Sequence, residues 1–452
     1  MKKLLGLLVC VVFVMTQTGT YAANAIDKAL KAVNMHNKGA ISVSVKDINT
    51  GKNIYSFNSH TPFNPASTQK ILTLAASLDT LGNDYKFITE LYKSSNNELY
   101  FKLGADPFLS SKNLEQLLST AKSKNVIEPK NVYIDDYILD SEYWGEGWQW
   151  DDDINPLMPK FGSYNLDGNV VKVIIRPTKL KAPADIYMKE FYPIGFVNNV
   201  TTGNEDKVTL THNKSISENL IELNGTVVEQ VEKFVPVNNI KRYFRLRLEE
   251  AFNSAKIVFY GKLYQKKLPA QNVYLVDKVE HDMSLAVDEV LKNSNNMVAE
   301  TVFKLAGGKY VNNTGSISTA VSMLNDYCKK NGLDTSYIRI VDGSGVSKNN
   351  LMTAEFMTNF LVMLSKQDNF DDFKNSMATP GVGTLSNRML YFHNNLRAKT
   401  GTLSNVSAIA GYIKTQRGRE VAFSVMINDP KSLSNEKKQL EEAILRAIYV
   451  AY

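Results

Sequence analysis

Asn64-Pro65-Ala66-Ser67-Thr68-Gln69-Lys70-Ile71-Leu72-Thr73-Leu74-Ala75 is the stretch on which the reading of this chain turns. From Ser67 the apolar residues Ile71, Leu72, Ala75, Leu78 and Leu81 recur at helical spacing, and Gly82 stands where a C-cap would. The spacing predicts a helix that starts at Ser67. Residues three apart share a helical face, so Lys70 can bring its amine to the Ser67 hydroxyl, and the open N–H groups of a first turn favour developing negative charge. A serine hydroxyl is a poor nucleophile until a base takes its proton, and a lysine can do so when burial lowers its pKa. Ser-x-x-Lys by itself is cheap, since a serine N-cap with a solvated first-turn lysine gives the same string. It recurs at Ser119-Thr120-Ala121-Lys122, inside an ordinary polar-faced helix, and at Ser434-Asn435-Glu436-Lys437, where Ser434 reads as the N-cap of the last helix. Only the Ser67 copy follows a strand pair and opens an apolar helix.

Upstream of that motif, Ile41, Val43 and Val45 alternate with polar residues, Asn49-Thr50-Gly51 turns the chain, and Ile54-Tyr55-Ser56-Phe57 returns, which predicts a hairpin preceded by a helix at 25–33. The N-terminus, Met1-Lys2-Lys3 and an apolar run from Leu4 to Met15, reads as a secretory signal peptide cleaved near Ala22, so a leader is expected at 1–22. The run is shorter than the ~20 apolar residues that span a bilayer. Cys10 lies in the leader, leaving Cys328 as the one thiol of the mature chain. Its setting, an amphipathic helix with no nearby histidine, reads as a buried structural cysteine. A net charge of +6, lowered by the two leader lysines and with no lysine-arginine cluster, argues against nucleic acid as a partner.

Downstream, 86–278 turns to short β-rich stretches (99–103, 170–175, 208–211) with one helical piece at 114–121, and a polar, turn-rich part at about 179–236 reads as a small nested domain. Helical spacing returns at 285–291, 297–305 and 320–327, and strands at 408–414 and 421–427 lead into a helix at 434–449. The fold class expected is therefore α/β (α+β): a catalytic domain from 23–85 and 279–452, interrupted by a β-rich insertion at 86–278.

Two further motifs follow in order. Lys399-Thr400-Gly401-Thr402 occurs once, at the start of a predicted strand. Gly401 would clear room for a substrate backbone along the strand, and Lys399, read as an exposed strand lysine, would bind a carboxylate together with the threonines. Lys292-Asn293-Ser294-Asn295-Asn296 links two helical runs; Ser294 and Asn296 are expected on a loop facing a common cleft, although both residue types are also preferred helix caps. The set Ser-x-x-Lys, Ser-x-Asn and Lys-Thr-Gly, in this order, is specific where its members are not.

With these motifs, and with Gly104-Ala105-Asp106-Pro107-Phe108-Leu109, Asp135-Asp136, Gly147-Trp148-Gln149-Trp150-Asp151-Asp152, Asp342-Gly343-Ser344-Gly345-Val346-Ser347 and Gly383-Thr384-Leu385, the chain resembles the class C penicillin-binding proteins over nearly its whole mature length. Ala105 departs from the glycine that the family pattern carries. The resemblance implies a serine β-lactamase/transpeptidase-like catalytic domain and a serine-type D-Ala-D-Ala carboxypeptidase or endopeptidase located in the periplasm. Its implied partners are peptidoglycan stem peptides and cross-bridges, β-lactam antibiotics held covalently, and a peripheral membrane contact at most. It assigns Ser67, Lys70, Ser294 and Lys399 to catalysis, and Asn296, Thr400, Gly401 and Thr402 to substrate binding, with the N–H groups of Ser67 and Thr402 as an oxyanion hole. No metal and no cofactor is implied: His36, His60, His212, His281 and His393 are scattered, and Gly343-Ser344-Gly345 lacks the Gly-x-Ser-x-Gly spacing and reads as a tight turn beside the cleft. The alternatives are a serine β-lactamase or esterase of the same fold and a noncatalytic peptidoglycan-binding protein.

Overall fold

The computed structural model describes residues 25–31, 38–212 and 220–452; the expected leader lies outside them. They fall into two compact units. One takes the described residues up to Asp79 with Val287–Asn295 and Val321–Tyr452, the other Thr80–Ala286 with Asn296–Ala320.

The first unit is built on a five-stranded antiparallel sheet in the order Leu396–Leu403, Val406–Lys414, Glu420–Asn428, Ile41–Asp47, Asn53–Phe57. The hairpin read from the alternation at 41–57 is present, but its first strand is buried along its whole length, Ser42 and Ser44 included. Val43 and Val45 join a core cluster with Ile409, Phe423, Val425 and the Leu440, Ile444 and Ile448 stripe of the helix Ser434–Ala451. Each such fully buried side chain contributes about 1.5–3 kcal/mol. The serines take the opposite face, where Ser44 Oγ meets Thr358 Oγ1 at 2.7 Å in the helix Ala354–Leu364 and Ser42 Oγ donates to Asn58 O at 3.0 Å. Alternation here separates two packed faces, because hydroxyls this small are satisfied without water. That helix is capped by Thr353 and carries an apolar run from Phe360 to Leu364. Ser434 is not the N-cap of the last helix: Leu433 is, and its N–H donates to Glu436 Oε2 at 2.7 Å.

The second unit has a five-stranded sheet, in the order Leu263–Gln265, Val132–Asp135, Leu99–Lys102, Lys86–Ser94, Val273–Asp282, and two three-stranded sheets. Besides the helix Ser111–Ser123, it contains Ile240–Ser254, absent from the sequence reading although Asn239 caps it and Ile240, Tyr243, Phe244, Leu248, Ala251 and Phe252 form a buried stripe. Val200, Ile221 and Leu223, from the part read as a nested domain, lie in the same buried cluster as Leu91, Phe101 and Leu114. This unit extends past the expected 86–278 because the helix Asn296–Val311 is tied into it, through Asn165 to Thr301 at 3.0 Å and through Lys304 to Asp140 and Glu142 O. Ala105 has φ +51, a left-handed conformation that costs an L-residue roughly 1–2 kcal/mol, which explains why a glycine suits that position.

Candidate active site

Ser67 does not begin the α-helix. Ala66–Gln69 form a 3₁₀ turn, and the α-helix runs from Lys70 to Leu81. Ala66 before the serine is held at φ +46, with its N–H donated to Asn64 Oδ1 at 2.8 Å, and Thr68 Oγ1 donates to Pro65 O at 2.7 Å. This tight entry leaves Ser67 half-buried while Lys70 behind it is fully buried. Lys70 Nζ lies 3.0 Å from Ser67 Oγ and donates to Ser344 O at 2.6 Å.

The loop carrying Ser344 is folded around one carboxylate. Asp342 Oδ1 accepts from Gly345 N at 2.9 Å, Asn350 Nδ2 at 2.8 Å and Gln69 Nε2 at 3.2 Å, and Oδ2 accepts from Ser347 N at 2.7 Å. Thr73 Oγ1 donates to Gly343 O at 2.7 Å. Gly345, at φ +78, lies so near the serine turn that a Cβ would sit 2.1 Å from Ala66 O. The turn read from its glycines is therefore the support of Lys70, a role no local pattern announces.

Lys399 is buried, not exposed as its place on a strand suggested. Its Nζ donates to Ser294 Oγ at 2.8 Å and Thr400 O at 2.8 Å. Burial, first, and the charge of Lys70, second, hold the Lys399 amine well below the ordinary lysine value. Ser294 sits at φ +63 on the short link after the helix Met283–Leu291, and the Asn295 N–H returns to Glu289 O at 3.0 Å.

The strand Leu396–Leu403 is the last of the sheet, laddered on one side with Val406–Lys414 and bridged on the other only at Ala398, to Ala378, among the described residues. Ala398 N donates away from that partner, to Ala378 O at 2.9 Å, so by the two-residue period the outward backbone groups are those of 398, 400 and 402. Gly401 serves a contact different from the one expected. A Cβ there would meet Ser67 N at 2.8 Å, Ala66 Cβ at 2.9 Å and Pro65 O at 3.0 Å, so the missing side chain makes room for the serine turn itself.

Ser67, Lys70, Ser294, Lys399, Thr400, Gly401 and Thr402 thus belong to one compact unit, joined by the contacts above. Asn296 is the first residue of the helix Asn296–Val311, not a loop residue, and belongs to the other unit, where its Nδ2 donates to Leu157 O at 2.8 Å. Cys328 is buried, with its thiol pushed up to about 12 by burial, and is inert as a nucleophile.

A family model for the D-Ala-D-Ala carboxypeptidase 3 (S13) family matches residues 22–447. The chain belongs to that family. Among relatives, a D-alanyl-D-alanine carboxypeptidase of Actinomadura sp. (strain R39) is 28% identical, over 86% of this chain and 78% of its own length. The D-alanyl-D-alanine carboxypeptidase DacB of Haemophilus influenzae is 24% identical, over 90% of this chain and 88% of its own. The crystal structure of penicillin binding protein 4 from Haemophilus influenzae superposes with a TM-score of 0.83 at 22% identity, covering 94% of this chain and 99% of that one, so the fold is shared over that length. The chain is a serine-type D-Ala-D-Ala carboxypeptidase of α+β fold with a β-rich second unit. Among the described residues no helix is long and apolar enough to cross a membrane.

Proposed function

We propose that Ser67 is the nucleophile by which this enzyme cleaves the D-alanyl-D-alanine ends or cross-bridges of peptidoglycan peptides in the periplasm, and by which it is acylated by β-lactams. The observation that carries this is the pair of buried lysines, each on a serine hydroxyl, Lys70 on Ser67 at 3.0 Å and Lys399 on Ser294 at 2.8 Å. With Lys70 neutral, the 3.0 Å contact runs from Ser67 O–H to Nζ, and the amine takes the proton as Oγ bonds to the carbonyl carbon of the penultimate D-alanine. General-base assistance of this kind is worth roughly 10²–10⁴ in rate.

Two charged ammonium groups disfavour one another in a dry site, so the Lys70–Lys399 pair gives up one of its two protons readily and one amine stays free to accept. The proton then passes through Ser294 to the departing amine, the C–N bond breaks, and water later hydrolyses the Ser67 ester. The outward N–H of Thr402, on the edge strand, and the N–H of Ser67, against Gly401, are suited to the oxyanion; losing one such donor costs about 10²–10³ in rate. The same free edge can pair with an extended substrate, whose terminal carboxylate Thr400 and Thr402 would bind. Asn296 would hold the substrate amide as the family pattern implies.

The test is covalent labelling of the purified protein with a fluorescent penicillin, alongside release of D-alanine from a peptide ending in D-Ala-D-Ala. Ser67→Ala should abolish both. Normal labelling of that variant would place the nucleophile elsewhere.

A further inference from the structure

The helix Ser434–Ala451 carries a carboxylate with no place in the chemistry above. The Glu441 side chain is wholly buried, and its two oxygens are divided between two different parts of the first unit. Oε1 accepts from Ser407 Oγ at 2.6 Å, and Oε2 accepts from Arg388 at 2.7 Å.

Each partner leads to one catalytic motif. Ser407 is the cross-strand partner of Thr402, so it secures the end of the edge strand on which Lys399 and Thr402 lie. Arg388 closes the loop that begins at Gly383-Thr384-Leu385. There Thr384 N donates to Lys292 O at 2.9 Å, and Gly383, at φ +56, packs so closely that a Cβ would lie 2.2 Å from the same carbonyl. Lys292 is two residues before Ser294. The carboxylate therefore spans from the strand of Lys399 to the support of Ser294, the two groups whose 2.8 Å contact the proton relay uses.

We propose that Glu441 is a positioning residue for acylation, holding the edge strand of Lys399 and Thr402 in register with the loop that supports Ser294. The proposal rests on the acyl-transfer reading of Ser67. A buried carboxylate is costly to hide, and a core helix could pack on this sheet with an apolar residue there. Here the group is retained with each oxygen hydrogen-bonded, the arrangement expected of a tie between segments that are remote in sequence. Displacement of reacting groups by about 1 Å costs on the order of 10²-fold in rate, so loss of the tie is felt in catalysis even when the fold persists.

A second signature follows from titration. Desolvation raises the Glu441 carboxyl above the ordinary range, against Arg388 from the loop, the Ser407 hydroxyl from the strand and Lys438 from its own helix, all of which pull it down. On acidification it takes up a proton before an exposed carboxylate does, and the link to Arg388 weakens.

The experiment uses the full mature chain and penicillin as probe. Active sites are first counted by stoichiometric labelling of wild type, with Ser67→Ala as the blank, which judges the acyl-transfer reading separately. The acylation rate per labelled site is then measured against pH for wild type, Glu441→Gln, Arg388→Gln, Arg388→Lys and the double glutamine variant, with melting curves for each. Expected are a loss of roughly 10–100-fold for each glutamine variant, a double variant no slower than the slower single, and a smaller loss for Arg388→Lys. Wild type should lose rate on acidification more steeply than Glu441→Gln, which keeps only the loss due to protonation of the lysine base. If Glu441→Gln does not fold, the per-site rates of the variants at the partly exposed Arg388 carry the test. Lower melting temperatures with per-site rates and pH profiles that superimpose on wild type would overturn the proposal.

Discussion

Replacing Gly401 by alanine adds one methyl group where the structure has least room for it. The added Cβ would lie 2.8 Å from Ser67 N, 2.9 Å from Ala66 Cβ and 3.0 Å from Pro65 O. Non-bonded contacts relax at about 3.5 Å, so the edge strand and the serine turn must part by roughly 0.5–0.7 Å. Neither side yields cheaply. The turn is pinned by Asn64 Oδ1 on Ala66 N at 2.8 Å and by Thr68 Oγ1 on Pro65 O at 2.7 Å, and the strand by its pairing with Val406–Lys414. The stability cost of such overpacking is about 1–3 kcal/mol, which a folded domain survives. The catalytic cost is larger if the displaced backbone carries both of the N–H groups proposed as oxyanion donors. A shift of this order, or the loss of one donor, reduces rate by roughly 10²–10³. Stopped-flow acylation by a chromogenic cephalosporin, referred to the concentration of folded protein, reads this directly. Rates within about threefold of wild type, in a variant with a lowered melting temperature, would show that the approach of strand to turn is mere packing and refute the argument.

Three further outcomes follow from the same geometry. Lys399→Ala should slow acylation by penicillin and by an uncharged thioester lacking the carboxylate to a similar extent, roughly 10²-fold or more, because the buried amine serves Ser294; a loss confined to the carboxylate substrate would restore a charge-binding role. Lys399→Met should be inactive yet more stable near neutral pH. The folded-state pKa of Lys399 is depressed, so between that value and the ordinary ~10.4 the unfolded chain binds more protons and wild-type stability rises with pH, and the advantage of methionine, read by denaturant melts, should shrink as pH is raised; an advantage constant with pH would contradict the linkage. Asp342→Ala should cost on the order of 3–5 kcal/mol in denaturant unfolding, since Gly345 N, Ser347 N, Asn350 and Gln69 lose an acceptor together, and Asp342→Asn should cost less; a loss under 1 kcal/mol would mean that water replaces the carboxylate.

Local pattern carried much of this protein. The Ser67-x-x-Lys70, Ser294 and Lys399-Thr400-Gly401 strings, their order, the hairpin before them and the final strands and helix were all readable, because each depends on spacing of 2 or 3.6 residues or on residue chemistry within one short segment. The long stripe of Ile240–Ser254 is equally a matter of local spacing, though it stands among β-rich neighbours. Other features were out of reach of any local reading. The burial of Lys399, the service of Ser344 O to Lys70, the true neighbour of Gly401 and the span of Glu441 from Ser407 to Arg388 each join residues far apart in the chain. Sequence determined which groups could react; tertiary structure decided which of them are dry, and dryness is what moves a lysine's proton. Desolvation depends on what the rest of the chain stacks over a side chain, and no window of neighbouring residues contains that information.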